Sequence, residues 1–263
     1  MCYNISYLTK KRLDYARRYG TESDIAEIEK DLERIGQKTG PVYYVSGYNH
    51  PDVPVITNHD PGRIQLFGWG LIPFWVKDAI QATQLSKRTL NARGEEMFEK
   101  PSFKHAAKSR RCLVIVDGFF EYHWKDGLSY PYFIKTKNGE PFSLAGLWST
   151  WRSKTEDITR NTFSIVTTRA NELMAYIHNQ PKGSNESRMP VILPKEVENE
   201  WLINEEDKLS IDIIKDLVQP YDADELEAYS VKKLKGKEGV GNSVAAIKRF
   251  HYAELESDQG TLF

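Results

Sequence analysis

With 263 residues, 40% of them hydrophobic and 28% charged, the chain is long enough to bury a substantial core as one large domain. Its longest apolar runs, such as Leu113–Val116, fall far short of the roughly 20 residues of a membrane span, so no membrane partner is expected. The N-terminus, Met1-Cys2-Tyr3-Asn4, lacks the basic and apolar stretches of a secretory signal. Lys and Arg total 36 against 37 Asp and Glu, a net charge of −1 that does not by itself advertise nucleic acid.

Residues 9–36 read as helical. Thr21-Glu22-Ser23-Asp24 resembles a capping box, Ile25, Ile28, Leu32 and Ile35 recur at helical spacing, and Gly36 can end the run. The charged opposite face predicts a helical insertion, about residues 9–38, packed on the domain surface. From residue 41 to 67 the text is loop-like and short-stranded, punctuated by Pro51, Pro54, Pro61 and Gly62. Short β-branched and aromatic runs follow at Cys112–Val116, Tyr130–Thr136, Phe142–Trp148 and Phe163–Thr168, with turn signals at Lys125-Asp126-Gly127 and Lys137-Asn138-Gly139. Val191–Leu193 is a further strand, and Glu196–Leu217 reads as a helix with Trp201, Leu202, Leu209, Ile213 and Leu217 on its apolar side. No repeat or linker divides the chain, so residues 1–256 form a single α+β domain with an antiparallel, two-sheet or barrel-like core and peripheral helices. Residues 257–263 form a short tail.

Charge is segregated along this frame. Lys87 to Arg111 holds eight basic residues and three acidic ones, while Glu196 to Ala228 holds twelve acidic and two basic. A cationic face is therefore available despite overall neutrality, although two solvated faces give the same pattern. Two cysteines, Cys2 and Cys112, allow at most one disulfide and match no zinc spacing, so a reduced, cytoplasmic protein without metal or cofactor is expected.

Cys2 is the most informative residue. Removal of Met1, favoured when the second side chain is small, exposes a 1,2-aminothiol. With a pKa of ~7.8 an α-amine is about 14% unprotonated at pH 7, a few-hundred-fold more than a lysine. Amine and thiol together condense with an aldehyde, first to an imine and then to a thiazolidine. Further segments add to it: Gly68-Trp69-Gly70-Leu71-Ile72-Pro73-Phe74-Trp75, Asn91-Ala92-Arg93-Gly94-Glu95, Asp117-Gly118-Phe119-Phe120-Glu121-Tyr122-His123-Trp124, Ile177-His178 and Arg188-Met189-Pro190-Val191-Ile192-Leu193.

In this order, and with the N-terminal Met-Cys, the segments resemble the SOS response-associated peptidase (SRAP) family of abasic-site processing proteins. The resemblance runs from Cys2 to about Asn242. It implies an SRAP-like single domain that covalently captures abasic sites in single-stranded DNA, with Met1 removed first, and association with the nucleoid or replication fork. Cys2 resembles the nucleophile, Asn91 the asparagine that holds the N-terminal amine, Glu121 the catalytic carboxylate and His178 the catalytic histidine. Arg93 resembles the phosphate-binding arginine, with Trp69, Phe74, Thr168 and Arg188 as further DNA contacts; Trp69 is expected to stack on bases and Trp75 to plug the core. The remaining histidines (His50, His59, His105, His123, His251) read as structural. Three departures stand out: Tyr3-Asn4 replaces the usual Gly-Arg, the helical stretch of residues 9–36 reads as inserted, and nine residues, Asn179–Ser187, separate His178 from Arg188.

Other readings stay open at this level. Cys2, Glu121 and His178 also suit an N-terminal-nucleophile cysteine peptidase or amidohydrolase, and the aromatic and basic segments suit a non-catalytic DNA-binding module. The tail Gln259-Gly260-Thr261-Leu262-Phe263 is similar to a bacterial sliding-clamp-binding peptide, with Gln259, Leu262 and Phe263 as the anchors.

Overall fold

The computed structural model describes residues 2–20, 25–180, 186–203 and 208–255. In chain order the described strands are β1 (Asn4–Tyr7), β2 (Val42–Ser46), β3 (Asp52–Thr57), β4 (Asp60–Trp69), β5 (Asn91–Arg93), β6 (Arg111–Val116), β7 (Gly118–Lys125), β8 (Leu128–Thr136), β9 (Phe142–Arg152), β10 (Thr159–Arg169), β11 (Arg188–Pro190), β12 (Ile192–Leu193) and β13 (Leu226–Ser230). The helices are α1 (Arg12–Tyr19), α2 (Ile25–Thr39), α3 (Ala79–Ser86), α4 (Lys104–Ser109), α5 (Glu172–Ile177), α6 (Glu198–Trp201) and α7 (Lys208–Asp216).

Five strands close a barrel. The pairs β4–β3, β3–β6, β6–β9 and β9–β10 are antiparallel, and β10 returns to β4 through the parallel pairs Thr162↔Gly68 and Phe163↔Trp69. Closure leaves these strands with no free edge along the ring. β5 adds to β10 in parallel, while β11 and β12 attach to β10 and β9. A second, antiparallel sheet in the order β13-β8-β7-β1-β2 packs on the barrel. The α+β class with a barrel-like core is thus the observed one.

The run Cys112-Leu113-Val114-Ile115-Val116 shows why the strands sort as they do. Cys112, Val114 and Val116 point into a core shared with Leu144, Phe163 and Ile165 and with Ile5 and Phe119 of the second sheet. Leu113 and Ile115 point the other way, with Ala145 and Leu147, onto the helices. Both faces of β6 are buried, which accounts for its unbroken apolar text. Packing at this crossing is tight: a methyl added at Gly146 of β9 would lie 2.7 Å from Cys112 Sγ and 2.8 Å from Val114 Cγ2.

The insertion is helical, but it is two helices, with the Thr21–Asp24 box outside the described residues. Gly36 does not end α2; the helix runs on to Thr39, and Gly40, at φ +64°, takes the left-handed terminating position. Ile28, Leu32 and Ile35 bury the apolar stripe against Ile56, Ile64 and Leu113. Three polar ties fix the insertion. Asp117 accepts from Thr9 N (2.7 Å), Thr9 Oγ1 (2.8 Å) and Tyr15 Oη (2.6 Å). Arg18 grips Glu198 bidentately at 2.9 and 2.6 Å. Asp31, 2% exposed, accepts from Arg63 Nε and Nη2, each at 2.8 Å, and from Ile64 N at 3.1 Å.

The expected helix over Glu196–Leu217 is divided into α6 and α7, and Ile214 rather than Ile213 is the buried residue. Gln259, Leu262 and Phe263 lie outside the described residues. No helix of the described residues is long and apolar enough to cross a membrane.

Asp31 carries a measurable consequence. Burial works against its charge, but hydrogen bonds from Arg63, the Ile64 amide and Arg34 hold the carboxyl below the usual aspartate range. Its stabilisation is therefore full above the unfolded-state value near 3.9 and is lost as pH falls through the lower folded-state value. Thermal unfolding followed from about pH 5 down to 2 should steepen less in Asp31→Asn than in the wild type, and the variant should lose about 1–3 kcal/mol at neutral pH. Parallel acid limbs for the two proteins are the contrary result.

Candidate active site

The site is built on the start of β1. That strand is hydrogen-bonded on both sides, to β2 through Asn4↔Ser46 and Ile5↔Val45 and to β7 through Asn4↔Phe120 and Ile5↔Phe119. Beyond Asn4 the pairing continues, with Gly47 N donating to Tyr3 O at 2.8 Å. Carrying the β7 register one step further sets Tyr3 opposite Glu121. Cys2, one residue earlier, is 1% exposed, and its Sγ contacts Asn4 O at 4.0 Å. Glu121 lies within β7 rather than in a loop after a strand, and it is 9% exposed. Strand alternation directs it to the same face as Phe119 and His123; Phe120 lies on the opposite face with Tyr44 and Phe133.

His178 caps α5, and two contacts of its flanking residues bind this helix end to β7. His123 Nδ1 meets Tyr176 O at 2.9 Å, and the rings of the two residues stack 4.7 Å apart. Asn179 exchanges hydrogen bonds with the Trp124 main chain, accepting from its N–H at 2.9 Å and donating to its carbonyl at 2.7 Å. His178 is thus bracketed by contacts to the strand that carries Glu121. On its other side, Ser187 Oγ donates to His178 O at 2.7 Å, and His178 Nδ1 lies 3.2 Å from Arg188 N and 3.3 Å from Arg188 O. The extra residues between His178 and Arg188 therefore leave both ends in contact.

Electrostatics join the three groups. Burial, followed by the negative charge of Glu121, pushes the Cys2 thiol up to about 12. Burial also lowers the His178 imidazole below its ordinary value, and Glu121 opposes that shift. Asn91, on β5 opposite Ile165 of β10, shares the face of Ile165 toward the same core. Both its Nδ2 and its Oδ1 are buried with no protein partner. Such an amide is costly to leave unsatisfied, and it can hold a group that both donates and accepts.

The sequence-predicted DNA contacts divide. Arg93 follows on β5, its side chain 36% exposed and 3.7 Å from Glu96. Phe74 is 50% exposed and tilts onto His105 at 4.7 Å. The expectation for the two tryptophans is reversed: Trp75 is 39% exposed and Trp69 is fully buried. As the last residue of β4, Trp69 points with Phe67 into the core, stacks 6.0 Å from Phe163 and donates Nε1–H to Leu90 O at 2.8 Å. No ring face is left for a base; its indole instead fixes the residue before Asn91. Thr168 is buried, with a long contact to Val218 O at 3.5 Å. Arg188 is buried and its guanidinium is committed to Glu95 (2.7 Å), Glu186 (3.2 Å) and Thr167 O (2.8 Å). Arg111 also leaves the cationic face: it is 1% exposed and donates to the carbonyls of Ala107, Lys108, Trp201 and Ile203.

Sequence reasoning missed the partners that position His178, namely Tyr176, Asn179 and Ser187. Asn179 was legible only as a polar residue after a helix end, a position where such amides bind main chain. Among the described residues no group of three His, Cys, Asp or Glu could hold a metal, and both cysteines are free and buried.

The electrostatic coupling can be read directly. In an NMR titration His178 should titrate below the ordinary histidine value near 6.5. Glu121→Gln should move it further down, because the lost negative charge had favoured the imidazolium. An unshifted or raised value in that variant would show that the two groups do not interact.

A profile of the family "SOS response associated peptidase (SRAP)" matches residues 3–237. The abasic site processing protein YoqW of Bacillus subtilis is 39% identical over 181 residues, which is 68% of this chain and 74% of that protein. The abasic site processing protein HMCES of Gallus gallus is 29% identical over 154 residues, 51% of this chain and 43% of that protein. A crystal structure of a Bacteroides thetaiotaomicron protein, 35% identical, superposes with a TM-score of 0.79 over 95% of this chain and all of that one. A Bordetella bronchiseptica protein shares the fold at 24% identity and a TM-score of 0.68. By its matched length, its relatives and its barrel, this chain belongs to the SOS response-associated peptidase family.

Proposed function

We propose that this protein handles abasic sites in single-stranded DNA by capturing them covalently through Cys2 once Met1 has been removed. The observation that carries the proposal is the convergence of Cys2, Glu121 and His178 at the end of a strand held on both sides, with the unsatisfied Asn91 amide on the neighbouring β5. The names of the relatives YoqW and HMCES, both abasic site processing proteins, point to the same substrate.

The chemistry follows in order. The deoxyribose of an abasic site is mostly a closed hemiacetal; the Glu121 carboxylate takes the proton of the C1 hydroxyl and returns it to the ring oxygen as the C1–O bond breaks, which releases the aldehyde. The free α-amine of Cys2, oriented by Asn91, adds to that carbonyl to give a carbinolamine. His178 moves the proton lost by the amine, and water leaves to form an imine. The thiol then adds across the C=N bond, its proton passing to nitrogen, and the thiazolidine closes. Burial and the charge of Glu121 both raise the pKa of the thiol, so thiolate is scarce at neutral pH. That scarcity favours the amine as first nucleophile, with sulfur attacking the more electrophilic imine. It also disfavours an amidohydrolase in which a resident thiolate opens an amide. Phosphates would follow Arg93 and the exposed lysines and arginine of the basic segment, Lys87, Arg88, Lys104 and Lys108.

Purified protein incubated with single-stranded DNA bearing one abasic site should give a denaturant-stable adduct, and its intact mass should lack Met1. Cys2→Ala should abolish the adduct. Glu121→Gln and His178→Ala should slow its formation by about 10² to 10⁴-fold. Adducts that survive Cys2→Ala would overturn the assignment, and a thioester formed on an amide without DNA would favour the hydrolase.

A further inference from the structure

Tyr3 follows the candidate nucleophile, and the structure shows what its side chain does. Its ring, half-buried beside the candidate nucleophile, stacks on Tyr48 with centroids 5.0 Å apart and planes inclined by 30°, and the two hydroxyl groups hydrogen-bond. Tyr48 is 56% exposed, among the most exposed large rings of the described residues. A ring covered on one side and open on the other gains nothing for the fold from its open face.

The turn that carries Tyr48 is rigid. Gly47 N donates to Tyr3 O at 2.8 Å, and His50 N closes the turn onto Gly47 O at 2.9 Å. His50, in the left-handed conformation at φ 49°, contacts Trp69 O through Nδ1 at 2.7 Å. Gly47 itself lies flat on Trp69: a Cβ there would come within 2.9 Å of the indole Cδ2, so only glycine lets the turn sit this low. Tyr48 is therefore held in place over Tyr3, which follows Cys2 and lies opposite Glu121 in the β1–β7 register, so little further ordering is needed on binding.

We infer that Tyr48, backed by Tyr3, is a stacking platform for the nucleobase adjacent to the abasic site. The occupant follows from the position. A base neighbouring the captured sugar is unstacked on its lesion side, since the missing base leaves that face exposed, and an aromatic ring replaces the lost stack without sequence preference. This subsite rests on the proposed abasic-site function and adds to it a requirement for a base on one flank.

The test uses two probes at fixed salt: single-stranded oligonucleotides with a central non-reactive tetrahydrofuran abasic analogue for equilibrium binding, and the natural abasic site for capture. In each, the base on one flank or the other is deleted. The wild type should lose about 5- to 100-fold in affinity when the base on one of the two flanks is removed. Tyr48→Ala should show that same loss with the base present and no additional loss without it, while Tyr48→Phe should bind as the wild type. A thermal melt of Tyr48→Ala matching the wild type confirms that the exposed ring is not needed for folding. The platform is overturned if Tyr48→Ala binds as tightly as the wild type, if its deficit persists on the base-less flank, or if Tyr48→Phe fails as Tyr48→Ala does. A wild type that captures abasic DNA regardless of flanking bases refutes the platform alone; one that captures none refutes the functional reading with it.

Discussion

The position of the second residue depends on a strand of four residues. β1 is short, yet it is paired to β2 on one side and β7 on the other, and its side chains are all buried. Chain ends are ordinarily among the least ordered parts of a domain. Here the double pairing sets Cys2 at a fixed depth in the molecule, beside a carboxylate delivered by the neighbouring strand. A side chain on a free terminus would need to be ordered at each encounter; one at the end of a paired strand is ordered by folding.

The same economy explains the rest of the architecture. The barrel supplies β10, and β10 holds both β5 with Asn91 and Arg93 and β11 with Arg188. The second sheet supplies β7 with Glu121. The clasp of Tyr176 and Asn179 onto His123 and Trp124 joins α5 to that sheet, so His178 is placed by the two layers together. The helical insertion packs elsewhere: its polar ties run to Asp117, Glu198 and Arg63, and Thr9, which begins it, follows the far end of β1 from Cys2.

Much of this was legible in the text. The turns after β7 and β8, the strand cores and the ordered motifs identified both the fold class and the family, because β-branched runs and Asp-Gly or Asn-Gly pairs report local geometry directly. What was not legible was burial at motif residues. Trp69 and Trp75 belong to one motif, and only the barrel register, which puts Phe67 and Trp69 on one face, tells which is inside. Arg111 was counted in the cationic window, and Arg188 was expected as a DNA contact from the resemblance of its motif, so both read as solvent-facing. In the fold they bind carbonyls and carboxylates instead, among them distant ones that no local pattern announces: Trp201 and Ile203 for Arg111, Glu95 for Arg188. The split of the Glu196–Leu217 segment likewise follows tertiary packing, with Trp201 donating to Cys112 O on the barrel, which overrides a continuous helical period.

The contact between His178 and Arg188 has a consequence for proton traffic. One nitrogen of the imidazole faces both the amide and the carbonyl of a single residue, at 3.2 and 3.3 Å. When that nitrogen bears a lone pair the amide can donate to it; when it bears hydrogen the carbonyl can accept. Either charge state finds a main-chain partner within a small tilt of the ring. The ring can therefore gain and lose a proton while its surroundings stay still, without its nitrogen being left unpartnered.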